Sequence, residues 1–235
     1  MDDAAATEAT SGVAEAICPR CLKPMSLSVC DSIEPVTNRV PVLILQHPQE
    51  QDKILGTARL AAVSLTDATF KIGLSWPSLT KALGRQADAG RWAVLYLGAG
   101  RAADFPKDRD VLVLDKKGTA LPNQDAALRH IEGVVVFDGT WSQAKTLWWR
   151  NAWVLKGQRV VLNPKRPSLY GQLRREPRRE GLSTIEAIGL LLARIEKRPE
   201  IETKLRDNFR MMLERVAASG VAIAAPKRRS RGRRR

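Results

Sequence analysis

Short runs of Val, Leu and Ile recur along the chain, separated by polar or amphipathic stretches, and they predict the strands of a buried sheet. The five clearest runs are PVLILQH at 41–47, RWAVLYL at 91–97, VLVLD at 111–115, GVVVFD at 133–138 and QRVVLN at 158–163. These runs are continuous rather than alternating. Continuous apolar runs are typical of strands covered on both faces, as in a parallel sheet with helices on each side.

Helices are predicted between and after these strands. Thr140-Trp-Ser-Gln143 and Ser183-Thr-Ile-Glu186 both fit the capping box, in which a hydroxyl caps the helix and Gln or Glu follows three residues later. The first opens WSQAKTLWWRN and the second opens TIEAIGLLLARIEKR. A short helix is also expected within 57–65 and a last one over 199–218. Because strand and helix alternate, the predicted class is α/β with a mostly parallel sheet and helices on both faces.

Length and composition suit a single α/β domain with short extensions, since the chain has 235 residues and 44% of them are hydrophobic. No apolar run reaches the roughly 18 residues that a membrane span needs, so no membrane partner is expected. Residues 1–16 are acidic and Ala-rich, unlike a signal peptide, and are predicted to be a disordered leader of a cytoplasmic protein. The α/β domain is expected at 37–218, after a Cys-rich module at 17–36 and before a basic tail at 219–235.

The positive charge is concentrated in two places. The formal net charge is +14, the last ten residues carry seven Lys or Arg, and residues 145–179 contain ten Lys or Arg against one acid, Glu176. A solvated surface usually mixes both signs, so this pattern favours a polyanion-binding surface over a tail that only aids solubility. The candidate RNA contacts are Lys145, Arg150, Lys165, Arg166, Arg175, Arg178, Arg179, Lys227, Arg228 and Arg229.

Three cysteines, Cys18, Cys21 and Cys30, lie within thirteen residues, and the chain has no others. An odd, clustered set in a chain without a secretion signal argues against a disulfide framework. It favours metal ligation instead.

Asp138 is the strongest catalytic candidate. It ends the strand GVVVFD, where α/β proteins place their ligands, and a capped helix follows at once. The plainer interpretation is that Asp138 only supports the turn. Thr140 already fills the cap position, however, which leaves the carboxylate available.

Other motifs in the sequence carry less weight. Gly98-Ala-Gly100 follows a strand as in a dinucleotide site, but only a short Pro-containing segment precedes the next strand, so a tight loop is the better interpretation. Trp141, Trp148, Trp149 and Trp153 crowd one helix and its end, a pattern that favours core over base stacking. The arginines around 174–179 either grip phosphates or form a solvated loop with local ion pairs.

Taken together, five ordered motifs resemble the DTW-domain family of tRNA-uridine aminocarboxypropyltransferases. They are the Cys module with DSIEPV, then LQHPQE with GTARL, VVVFDGTWSQAK, LNPKRPSLYGQLRREP and LSTIEA. The resemblance covers residues 17–195. It implies a SPOUT-like catalytic domain with a C-terminal knot, S-adenosylmethionine as cofactor and tRNA as partner. Whether the protein is a monomer or a homodimer is left open.

The resemblance also implies a reaction and a set of site residues. Uridine N3 would attack the γ-carbon of the aminocarboxypropyl arm, releasing methylthioadenosine, with Asp138 accepting the N3 proton. The residues that would surround the cofactor are Leu97, Gly98, Gly139, Thr140, Trp141, Leu162, Asn163, Pro164, Tyr170, Arg174, Leu182, Ser183, Thr184 and Glu186. Glu186 either belongs to the capping box or contacts the cofactor's amino group. The alternatives are a SPOUT-type RNA methyltransferase and a non-enzymatic, zinc-containing RNA-binding protein.

One departure from the family concerns the metal. Members of the family have C-x2-C followed by C-x-C, whereas Ser28 stands here where the third thiol is expected. Zinc sites normally have four ligands. Water, Asp31 or a residue elsewhere would have to complete the site, or the metal is absent.

Overall fold

A six-stranded, mostly parallel sheet forms the centre of the computed structural model, which describes residues 15–95, 106, 109–171 and 181–221. The strands are β1 (Val42–Gln46), β2 (Ala68–Ile72), β3 (Trp92–Leu95), β4 (Val111–Leu114), β5 (Gly133–Asp138) and β6 (Gln158–Leu162). Their order across the sheet is β2-β1-β5-β3-β6-β4, and every neighbouring pair is parallel except β4 with β6. The predicted α/β class and the five predicted strands are confirmed.

The helices are α1 (Ala58–Val63), α2 (Leu79–Leu83), α3 (Gln124–Arg129), α4 (Trp141–Arg150), α5 (Thr184–Glu196) and α6 (Pro199–Ala218). Both predicted capping boxes are present at the starts of α4 and α5. The short helix within 57–65 and the last helix over 199–218 are confirmed as well. The sequence did not predict α2 and α3, which have only five and six residues.

Helices cover both faces of the sheet, as predicted. On one face, strand residues such as Val134 and Val136 pack in a core with Ile188 of α5 and Phe209 of α6. On the other face, Val135 and Phe137 pack with side chains of α2 and α4. Successive residues of β5 thus point into two different cores, which explains why its apolar run does not alternate.

The direction of β4 corrects one expectation. Its apolar run resembles a parallel central strand, yet it lies at the sheet edge and runs antiparallel to β6. The side chain of Gln124 covers its outer edge, accepting a hydrogen bond from Val113 N at 2.8 Å and donating to Val113 O at 3.0 Å. Because the edge is covered in this way, β4 can be as apolar as an internal strand.

The strand β2 was not predicted. It forms the opposite edge of the sheet beside β1, and its residues are half-buried or, at Lys71, exposed. A half-buried edge strand mixes polar and apolar residues, so ATFKI lacks the continuous run that identified the others.

The Cys module packs against the main domain. Leu27, Val29 and Ile33 belong to the same core as Met212 and Val216 of α6. The two parts of the chain therefore bury apolar surface together, and the boundary at residue 36 stays a prediction.

Two further expectations depend on the connections between elements. The strands that flank Gly98 and Gly100, β3 and β4, are not neighbours and do not form the parallel unit of a dinucleotide site. The knot stays a prediction, since 96–105 and 172–180 lie outside the described residues.

Within the described residues, no helix has the length and apolar character needed to cross a membrane.

Candidate active site

Asp138 lies at the carboxyl edge of the parallel strands, where open α/β sheets bind their ligands. It is the last residue of β5, and its partner across the ladder is Gln46, the last residue of β1. The pairing continues one residue past β1, because His47 N donates to Asp138 O at 3.0 Å. The predicted catalytic residue is thus held by two adjacent strands.

The carboxylate of Asp138 is oriented by two neutral donors. Gln46 Nε2 donates to Oδ2 at 2.8 Å, and the Thr184 hydroxyl donates to Oδ1. The side chain is half-buried. A carboxylate oxygen offers two lone pairs, so each oxygen keeps accepting capacity beyond these bonds. The arrangement fixes the carboxylate while leaving it able to accept a proton.

The turn after Asp138 requires glycine because side chains approach it closely. A Cβ atom on Gly139 would lie 2.9 Å from Gln143 Cβ and 3.5 Å from His47 Cβ. Thr140 then caps α4, donating its backbone N–H to Gln143 Oε1 at 2.6 Å and accepting from Gln143 N at 3.4 Å. Thr140 occupies the cap position as predicted, and Asp138 is not used as the cap.

The start of α5 lies beside this turn, and Glu186 in its first turn is buried. This carboxylate, 1% exposed, accepts hydrogen bonds from Ser183 N, Ser183 Oγ, Ser168 Oγ, Leu169 N and Arg206 Nη1 at 2.5–3.1 Å. The contacts join the helix start, the segment after β6 and α6. These contacts fit the structural interpretation of Glu186, and its contact with a cofactor's amino group stays a prediction.

A cavity of about 380 Å³ opens on the other side of the same helix start. Its wall includes the apolar residues Pro164, Leu182 and Leu190 and the charged residues Arg206 and Asp207. Leu182 and Glu186 line the cavity, while Thr184 between them contacts Asp138. The first turn of α5 therefore separates the cavity from the candidate base.

Most of the predicted cofactor residues come together at this edge. They follow β5 (Gly139, Thr140, Trp141), end or follow β6 (Leu162, Asn163, Pro164) or form the start of α5 (Leu182, Ser183, Thr184, Glu186). Tyr170 is 2% exposed, with its hydroxyl 2.6 Å from Leu55 O and its ring against Phe209, so it packs as a core residue. Leu97, Gly98 and Arg174 lie outside the described residues.

Some of the predicted RNA contacts lie within the described residues and others lie outside them. Lys145, Arg150, Lys165 and Arg166 are exposed, and the last two also line the cavity. Arg175, Arg178, Arg179, Lys227, Arg228 and Arg229 lie outside the described residues.

The tryptophans around α4 have different environments. Trp148 and Trp153 are buried, as the core interpretation predicts, whereas Trp149 is 75% exposed. An exposed aromatic ring beside basic side chains suits stacking on a nucleic-acid base, so Trp149 is a candidate contact.

Sequence reasoning missed Gln46, Arg206 and the exposure of Trp149. The sequence could have indicated Gln46, because it ends a predicted strand as Asp138 does. No local pattern indicates Arg206, since its partner Glu186 is twenty residues away on another helix.

The three cysteines of the module form a compact, buried cluster. Their sulfur atoms all lie within 4.8 Å of one another, and none forms a disulfide. Burial raises the pKa of the Cys30 thiol to about 12. Burial also acts to raise the pKa of Cys18, but hydrogen bonds from Ser28 and the backbone outweigh it and lower that pKa to about 6. Grouped sulfur donors of this kind suit Zn²⁺.

These features define an α/β domain with a candidate ligand site at the carboxyl edge of its sheet and a separate thiol cluster. The chain belongs to the DTW domain family, whose model matches residues 15–217.

Curated relatives carry the name tRNA-uridine aminocarboxypropyltransferase 2. The protein from Macaca fascicularis is 29% identical over 199 residues, covering 80% of this chain and 60% of the relative. Those from Mus musculus and Drosophila melanogaster are each 28% identical over 80% of this chain, covering 60% and 70% of the relatives. The chain thus spans about 60% of the length of the first two relatives. No solved structure matches it significantly.

Proposed function

We propose that this protein is a cytoplasmic tRNA-uridine aminocarboxypropyltransferase that modifies N3 of a tRNA uridine. The observation that carries the proposal is Asp138, a strand-end carboxylate oriented by Gln46 and Thr184 in a chain of the DTW domain family. The names of the curated relatives support the substrate and the transferred group.

Asp138 acts as the general base in this proposal. It accepts the N3–H proton as N3 forms a bond to the γ-carbon of the amino acid arm, and the electron pair of the breaking carbon–sulfur bond stays on sulfur. General base catalysis of this kind contributes about 10²–10⁴-fold. Gln46 and Thr184 are positioning residues, because each holds one carboxylate oxygen.

S-adenosylmethionine supplies, when bound, a γ-carbon activated by the adjacent sulfonium. The cavity beside α5 fits a ligand of this kind, since its volume of about 380 Å³ falls in the range of small-molecule sites. Pro164, Leu182 and Leu190 offer an apolar wall for a nucleoside, and side chains of both signs suit a zwitterionic arm. Because the first turn of α5 lies between the cavity and Asp138, the proposal requires the γ-carbon to extend past Thr184 to the base.

The tRNA would approach over the exposed face of α4 and the segment after β6. Lys145 and Trp149 are one helical turn apart and both exposed, with Arg150 beside them. Lys165 and Arg166 extend the positive surface to the cavity. Cations bind phosphates without regard to sequence, whereas an aromatic ring can stack on a base.

Product analysis separates this function from its two alternatives. The full chain is incubated with unmodified tRNA and S-adenosylmethionine, and both nucleosides and small molecules are measured by mass spectrometry. We expect aminocarboxypropyluridine and methylthioadenosine in equal amounts. S-adenosylhomocysteine with methylated uridine would instead establish a methyltransferase, and tRNA binding without any turnover would favour a non-enzymatic RNA-binding protein.

A further inference from the structure

We propose that Ser28 supplies the fourth ligand of a zinc site whose other ligands are Cys18, Cys21 and Cys30. The site would then have three sulfur donors and one oxygen donor. This inference concerns the N-terminal module alone and does not depend on the transferase activity.

The three sulfur atoms already have nearly the spacing that a metal requires. In a tetrahedral site with Zn–S bonds of about 2.3 Å, sulfur atoms are about 3.8 Å apart. The observed sulfurs lie within 4.8 Å of one another, so small side-chain movements would bring them into place. All three residues are buried, at 3–4% exposure, and are thus shielded from solvent and held by their surroundings.

Ser28 is positioned where the fourth ligand is needed. Its hydroxyl oxygen lies 3.3 Å from Cys21 Sγ, and an oxygen and a sulfur on one tetrahedral zinc are about 3.6 Å apart. Ser28 is 4% exposed, and its hydroxyl also accepts from Cys30 N at 3.3 Å. The hydroxyl is thus directed toward the sulfurs and away from water.

Asp31 is the competing ligand, and the structure argues against it. Its side chain is 68% exposed and faces Arg215 at 3.4 Å. Among the described residues, only the three cysteines group together as a cluster of Cys, His, Asp or Glu ligands. Ser28 is instead a buried oxygen donor whose hydroxyl lies beside the cluster.

The backbone around Ser28 is held by arginines outside the cluster. Arg215 of α6 donates to Ser28 O, and Arg20 Nη1 donates to Cys30 O at 2.6 Å. Lys23 is 7% exposed; burial lowers its pKa to about 8, while Cys21 and Cys30 favour its charged form. These cations offset the net charge of about −1 that three thiolates and one neutral hydroxyl leave around Zn²⁺.

The test compares metal binding by the wild-type full chain with that of Ser28→Ala, Ser28→Cys and Asp31→Asn, all purified without chelator. Zinc stoichiometry is measured by elemental analysis, and zinc affinity by competition with a chromophoric chelator. Co²⁺ then replaces Zn²⁺, because its thiolate charge-transfer absorbance reports the number of sulfur ligands. Circular dichroism melting verifies that each variant is folded.

We expect one zinc per wild-type chain and an affinity at least about tenfold weaker in Ser28→Ala. Ser28→Cys should bind more tightly and raise the cobalt charge-transfer absorbance by about one third, since four thiolates replace three. Asp31→Asn should bind as the wild type does. The proposal is overturned if the wild type binds no zinc, if Ser28→Ala retains full affinity, if Ser28→Cys leaves the cobalt spectrum unchanged, or if Asp31→Asn loses the metal.

Discussion

The first turns of α4 and α5 share one sequence motif but lie in different surroundings. In α4, the half-buried Gln143 completes the capping box and also donates to Gln49 at 3.2 Å. In α5, Glu186 completes the box while buried, and it also binds Arg206 and the segment after β6. A capping box therefore predicts where a helix begins, whereas the role of its last residue depends on tertiary contacts.

The same comparison separates the two carboxylates of the site. Asp138 accepts from two neutral side chains and keeps room for a further donor. Glu186 accepts five hydrogen bonds, one of them from Arg206. We infer that Asp138 is suited to exchange a proton and Glu186 to hold the fold around it.

The largest expected effect is on stability, from Glu186→Gln. The change leaves the Arg206 guanidinium, which is only 13% exposed, without its charged partner. It also places the NH2 group of the new amide where Glu186 accepts hydrogen bonds from Ser168, Leu169 and Ser183. Breaking a buried pair from one side costs about 3–5 kcal/mol. Urea denaturation should show that loss in the free energy of unfolding.

Gln143→Ala is the matched control at the other helix start. It removes an exposed cap interaction, for which a loss of about 1 kcal/mol or less is expected. If both variants lost the same free energy of unfolding, the buried contacts of Glu186 would add nothing to the stability of its capping box.

A smaller effect is expected from Trp149→Ala, which tests whether the outer face of α4 binds tRNA. Loss of one stacked base corresponds to about 1–3 kcal/mol, so the dissociation constant should rise about tenfold, with the melting temperature unchanged. Leu155→Ala, at a 45% exposed position, is the control and should bind normally. The dissociation constants are measured by fluorescence anisotropy. A wild-type dissociation constant for Trp149→Ala would remove Trp149 from the interface.

Local patterns in the sequence predicted much of this fold. The end of β5, the capped start of α4 and hence the place of Asp138 follow from consecutive residues, GVVVFD and then Thr140 to Gln143. Strand direction is not encoded in an apolar run, so the antiparallel β4 could not be anticipated. The pairing of Glu186 with Arg206 depends on how α5 packs on α6, which no local pattern specifies.

The central claim is that Asp138 is the base and Glu186 is structural, and turnover of Asp138→Asn tests it most directly. The amide keeps the shape of the side chain and removes the proton acceptor. Single-turnover rates should be measured at saturating tRNA and S-adenosylmethionine, together with the melting temperature and cofactor affinity. We predict a rate lower by about 10²-fold or more, with stability and cofactor binding retained. A rate close to that of the wild type would contradict the assignment of Asp138 as the base.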